Sequence, residues 1–179
     1  MGIGKHANVV HLIDFGLSKE FRDPNTHKHI PFNRGLGFTG TPTFASINSH
    51  LGLELGRRDD LESLAFTLFY FLWGFLPWQG LDAEGQDLLK CKQNITMLNM
   101  FHELPLEFCM FFEHCRSLPF DGKPLYDHFY KLFNNLLAKE GFENNTSFDW
   151  DVADGTSAGQ GFGNSSENEG SHSHRHHMR

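Results

Sequence analysis

The amino-acid sequence predicts a mainly α fold organised around one central buried helix. Three observations carry that prediction. From Leu64 to Trp73 every residue except Thr67 is apolar, and a helix with no polar face has to be buried. Two later segments repeat apolar residues at three- and four-residue spacing, as amphipathic helices do. Only one short β-branched run, Val9-Val10-His11-Leu12-Ile13, reads as a strand.

Taken in order, Gly2 to Asn8 form the turn before that strand, so the chain is expected to open with a short β-hairpin. Residues 20–42 are polar, contain Gly and Pro and show no period; a loop this long in a compact domain is usually functional. Phe44 to Leu51 suit a short helix closed by Gly52. The central helix is expected from Arg57 to Gly74. Asp59 or Asp60 caps its start, Glu62 suits the first turn, and Gly74 with Pro77 ends it. Its apolar stretch falls short of the ~20 residues a bilayer requires, and Arg57 to Asp60 abut it, so it is not a membrane span. Phe75 to Gly80 form a turn rich in aromatics, and residues 82–100 read as a weaker helix of mixed polarity.

Two further helices are signed by proline at the first helical position. One begins at Pro105 and carries Phe108, Phe111, Phe112 and Cys115, with Arg116 in its last turn. The other begins at Pro124 and aligns Leu125, Phe129, Leu132, Phe133, Leu136 and Leu137, with Gly141 just past its end. After Trp150 the composition turns to Gly, Ser, Asn and Glu, then to a His cluster. The expected organisation is a folded domain over 1–150 and a disordered tail over 151–179.

The chain has 179 residues, 39% of them hydrophobic and 19 of them Phe, which is enough for one packed core. Its formal charge of -7 argues against nucleic acid or an anionic membrane surface as partner. Cys91, Cys109 and Cys115 are odd in number and lack metal-ligand spacing, so they read as reduced thiols of an intracellular protein, with cytoplasm or nucleus undecided. Cys109 and Cys115 are expected to fill a helix face. The N-terminus lacks the apolar core of a signal peptide. His172, His174, His176 and His177 are a pattern that chelates transition metals weakly, and no metal role is assigned to them.

Asp14-Phe15-Gly16 follows directly on the expected strand, and Gly40-Thr41-Pro42 follows the long loop. With Asp60 near the start of the central helix, these segments resemble the C-terminal lobe of a protein kinase. Phe21-Arg22-Asp23, Thr26 to Phe32, Ser46 to Gly52, Arg57 to Ser63, Leu76 to Leu81, Cys115 to Leu118 and Phe148-Asp149-Trp150 narrow the resemblance to the casein kinase 1 family. That family has Ser-Ile-Asn where most kinases have Ala-Pro-Glu, as in Ser46-Ile47-Asn48. The resemblance covers residues 1–150. It implies that Asp14 binds the Mg²⁺ of Mg-ATP, and that residues 17–42, just after Gly16, form the activation segment. Gly40, Thr41 and Thr43 belong to the implied substrate-facing loop, and Asp60 is implied to be a buried anchor for backbone amides near the catalytic loop. His27 and His29 match the family pattern and are expected to pack and hydrogen-bond.

The departures bear on activity. The family's Gly-rich loop, strand Lys with its helix Glu, and catalytic loop with its Asp and Asn are all absent from these residues, so the N-lobe and catalytic loop are missing. Met1 aligns with an internal family methionine just past the catalytic loop, which reads as a gene-model error or gene decay. Thr43 stands where the family has an Arg of its anion pocket, and Asp82 to Asp87 replace a Lys/Arg-rich stretch, so the geometry repels an anion. The expectation is a casein kinase 1-like serine/threonine kinase homologue, inactive as this chain alone and not binding Mg-ATP by itself. The alternative is a non-catalytic, pseudokinase-type module that docks a protein partner. In the family a helix preceding the catalytic loop covers part of the central helix; without it, the apolar surface of residues 64–73 would be left open.

Overall fold

The computed structural model describes residues 2, 6–7, 9–81, 86–95 and 104–142. The expected 151–179 tail with its histidines, Phe148 to Trp150, and most of the Asp82 to Asp87 stretch lie outside the described residues. By internal contacts the chain forms two units, His11–Asn144 and Met1–Val10 with Asn145–Arg179. In the second, the Gly2 amide donates to the Val9 carbonyl and the Val9 amide to that of His6, both at 2.9 Å.

The first unit is mainly helical. Its helices among the described residues are α1 Ile47–His50, α2 Arg57–Trp73, α3 Gln86–Gln93, α4 Leu106–Ser117 and α5 Tyr126–Lys139. Among the described residues none is long and apolar enough to cross a membrane. Helix α2 ends as its sequence dictates: Gly74 takes the left-handed conformation, φ 76°, and its amide returns to the Tyr70 carbonyl at 2.8 Å. Gly141 does the same past α5 with φ 72°. Pro105 sits immediately before α4 as its N-cap, and Pro124 lies two residues before α5. Gly52 closes the α1 segment at φ 62°, where a Cβ would lie 2.6 Å from the Leu36 carbonyl oxygen.

The expected opening strand does not form. Residues 9–13 carry no strand pairing, and Val10, Leu12 and Ile13 are exposed. A β-branched run becomes a strand only through a ladder partner, and pairing among the described residues amounts to two isolated bridges, Arg22 with His29 and Arg34 with Leu53. The long segment between Gly16 and Ser46 is irregular but pinned. Asp23 accepts from the Asn25 and Thr26 amides, the Ile30 amide returns to the Phe21 carbonyl, and the His29 and Phe32 rings meet Phe120 edge-on. His29 thus packs and bonds, with Nδ1 3.0 Å from the Ile30 carbonyl oxygen.

The core gathers on one side of α2. Ala65, Phe66 and Phe69 are fully buried against Trp78, Phe112 and Cys115. Each large side chain of this kind contributes roughly 1.5–3 kcal/mol on burial. Edge-on ring pairs, Phe66 with Trp78 at 5.0 Å and Phe69 with Phe112 at 5.5 Å, add about 0.5–1.5 kcal/mol apiece. Cys109 and Cys115 are free and buried, as expected of cysteines that fill a helix face. The other side of α2 is uncovered: Leu64 is 45% exposed, Phe71 73% and Leu72 46%. A helix apolar all round is therefore buried over only part of its circumference here.

Candidate functional site

Ser46 to Asn48 and Arg57 to Ser63, two of the segments singled out in the sequence, meet at the start of α2. Gly56 precedes the helix, and a glycine cannot cap with a side chain. The cap comes instead from Asp59, whose Oδ2 accepts from the Gly56 amide at 2.8 Å. The other oxygen reaches across to α1: Asp59 Oδ1 accepts from Ser46 Oγ at 3.0 Å and from Asn48 Nδ2 at 2.8 Å. Glu62, one turn on, accepts from the Ile47 amide at 3.3 Å and faces Arg116 of α4 at 3.8 Å. Burial pushes the Glu62 carboxyl up, and Arg116 opposes the shift. Ser46-Ile47-Asn48 is thus a polar plug into the N-terminal turn of α2.

The long loop is tied to the same place. Lys19 Nζ bonds Glu54 Oε1, and Asn33 Nδ2 donates to Glu54 Oε2 at 2.9 Å. The Lys19 bond first, then the Asn33 bond, hold the Glu54 carboxyl below its ordinary range. Ser49 Oγ accepts from the Thr39 amide at 3.1 Å and donates to its carbonyl. Between loop and helix lies a cleft of about 560 Å³ lined by Lys19, Gly40, Thr41, Asp60, Ser63 and Thr67.

Asp60, expected as the buried anchor, is exposed; the buried carboxylate is its neighbour Asp59. The reason is angular. Successive helical residues point about 100° apart, and the donors Ser46 and Asn48 lie on the Asp59 side. Its crowded surroundings, and secondarily the Asp59 charge, push the Asp60 carboxyl up, but with the side chain itself open to water this shift carries no stability. Gly40 and Thr41 line the cleft, whereas Thr43 turns its carbonyl to Trp78 Nε1 at 2.7 Å.

Asp14 and Gly16 stand apart from the cleft lining. Asp14 is exposed, with φ 62° and Oδ1 3.3 Å from the Gly16 amide. A left-handed non-glycine residue is uncommon, and here the short polar side chain bonding its own turn stabilises it. Among the described residues no three His, Cys, Asp or Glu groups gather to hold a metal.

One residue the sequence reading passed over is Lys92 of α3. It has no solvent-exposed surface and lies against Phe66 and Trp78. The signal was present: Leu88, Lys92 and Ile95 recur at helical spacing and all three are buried, so a lysine sits in an apolar stripe. No protein-family model matches the chain.

Proposed function

We propose that this chain is a casein kinase 1-like C-lobe, from the family of serine/threonine protein kinases, that does not transfer phosphate as residues 1–179 alone. The observation that supports the reading is the junction at α2. Ser46-Ile47-Asn48, Gly40-Thr41-Pro42 and Arg57 to Ser63 are among the segments that carry the resemblance; the first and last are hydrogen-bonded together, and Gly40-Thr41-Pro42 lies beside them with the Pro42 carbonyl against His50. On this reading residues 17–42 are the activation segment and the cleft beside Asp60, Ser63 and Thr67 is the face a catalytic loop occupies. Asp14 would be a lone metal carboxylate, too little to hold Mg-ATP. The test is radiolabelled ATP transfer to casein. Transfer above that of an Asp14→Asn control would overturn the inactive assignment.

The second reading is a pseudokinase-type protein-binding module. It is favoured by the uncovered side of α2 and by the groove of about 580 Å³ next to it, lined by Leu64, Leu68, Phe111, Phe129, Phe133 and Leu137. Apolar surface of this extent marks an interaction site or an aggregation hazard. A soluble, cooperatively melting monomer of residues 1–150 with no tendency to associate would count against it.

A further inference from the structure

Lys92 Nζ is surrounded by three polar atoms and two rings. It donates to the carbonyl oxygens of Pro42 and Ala45, both at 2.7 Å, and lies 3.2 Å from His50 Nε2. His50 Nε2 is also 3.2 Å from the Pro42 oxygen. The Phe66 and Trp78 ring centroids are 4.9 Å and 5.5 Å away. Three separate pieces therefore meet at one nitrogen: α3, the end of α1, and the loop that runs from Gly40 to Ala45.

The site is satisfied with one proton shared by the pair, or with none beyond neutrality. A neutral amine gives two N–H bonds to Pro42 and Ala45 and accepts from a His50 Nε2–H. An ammonium gives its third N–H to the bare Nε2 of the other His50 tautomer. A second proton is different. It makes imidazolium and ammonium neighbours 3.2 Å apart, with the Pro42 carbonyl oxygen as the one acceptor both can reach and with Lys92 shut off from solvent. Glu62 of α2 attracts the Lys92 charge, but it also faces Arg116 of α4 and burial outweighs it, and the buried Cys115 thiol is neutral. The loop contributes only carbonyls.

We propose that the Lys92–His50 pair is an acid-released latch that holds the Gly40–Ala45 loop against α3. The direction follows from linkage. Burial depresses Lys92 from 10.5 to about 7, so its contribution to the closed loop is full above 10.5 and is lost as pH falls to about 7. Burial, and then the Lys92 charge, lower His50 below 6.5, so a further loss sets in as pH falls below 6.5. Both act the same way: closed at alkaline pH, released on acidification. This inference stands whether or not the chain is a kinase homologue.

Trp78 is the natural reporter, because it is fully buried beside Lys92 and donates to the Thr43 carbonyl of the same loop at 2.7 Å. In the full chain with Trp73→Phe and Trp150→Phe, Trp78 emission should shift to the red as pH falls from 10.5 to below 6.5 while far-UV circular dichroism stays constant. Lys92→Met should abolish the shift. His50→Gln, at a half-buried position, should move its midpoint to lower pH, which keeps the test alive if Lys92→Met does not fold. An unchanged emission across the range, the same shift in Lys92→Met, an unmoved midpoint in His50→Gln, or a shift that coincides with loss of helix would each overturn the latch.

Discussion

Ser46 Oγ donates to Asp59 Oδ1 at 3.0 Å in a fully buried setting, and through that bond the end of the long loop is locked to the first turn of the central helix. Asn48 and the Gly56 amide use the same carboxylate, so one side chain caps α2 and fixes α1 on it. Hydrogen bonds to a charged group contribute about 1.5–3 kcal/mol, and a buried donor left without its acceptor costs a further ~1–3 kcal/mol.

Asp59→Ala should therefore destabilise the domain by about 3 kcal/mol in urea denaturation at pH 7. Asp60→Ala, on the exposed side of the same turn, should stay within about 0.5 kcal/mol of the parent. Equal losses in the two variants would contradict the assignment of Asp59 as the anchor.

Lys19 and Glu54 tie the start of the long loop to the segment before α2. Glu54 has its carboxyl lowered by the Lys19 and Asn33 bonds, so their stabilisation is complete above the ordinary pKa of 4.5 and disappears as pH falls through the lowered value. Lys19 is 45% exposed, so water screens much of the pair. Lys19→Met should cost about 1 kcal/mol at pH 7, and the difference from the parent should vanish well below pH 4.5 in matched denaturation curves. A constant difference at both pH values would show that packing, not charge, is lost.

The cysteines should separate by reactivity. Burial pushes the Cys115 thiol up to about 12, so it is fully protonated at pH 8 and shielded as well. Cys91 is half-buried. Iodoacetamide at pH 8, followed by peptide mass mapping, should label Cys91 first and leave Cys115 unmodified until the protein is unfolded. The raised thiol also stabilises the folded form below pH 9, a contribution that declines as pH rises from 9 towards 12. Early labelling of Cys115 in folded protein would refute its burial against α2.

The open side of α2 makes a contrast with its core side. Phe66→Ala, at a residue with no exposed surface, should cost about 3–5 kcal/mol. Phe71→Ser and Leu64→Asn, both at exposed positions, should change stability by no more than about 0.5 kcal/mol. If the apolar face drives association, the double variant should sediment closer to the monomer mass than the parent at equal concentration. An unchanged mass distribution would remove this face from consideration.

Much of the fold follows from local chemistry. The end of α2 is legible because Gly74 supplies the left-handed turn that stops it, the starts of α4 and α5 because Pro105 and Pro124 fix the backbone ahead of them, and the end of α5 because Gly141 admits a left-handed turn. The burial of Phe66, Phe69, Phe112 and Cys115 is legible from spacing and from hydropathy. What local chemistry does not carry is any choice that depends on a distant partner. Val9 to Ile13 have strand composition, and a strand also requires a neighbour. The spacing of Leu88, Lys92 and Ile95 puts Lys92 on an apolar stripe, but what satisfies its charge shows only when the Pro42 and Ala45 carbonyls and His50 are placed around it. Asp59 and Asp60 are identical in chemistry and adjacent in the chain, so the sequence by itself determined that a carboxylate stands at the start of α2. Which of the two is buried was decided only by tertiary structure: a helix turns them about 100° apart, and Ser46 and Asn48 arrive on the side of Asp59.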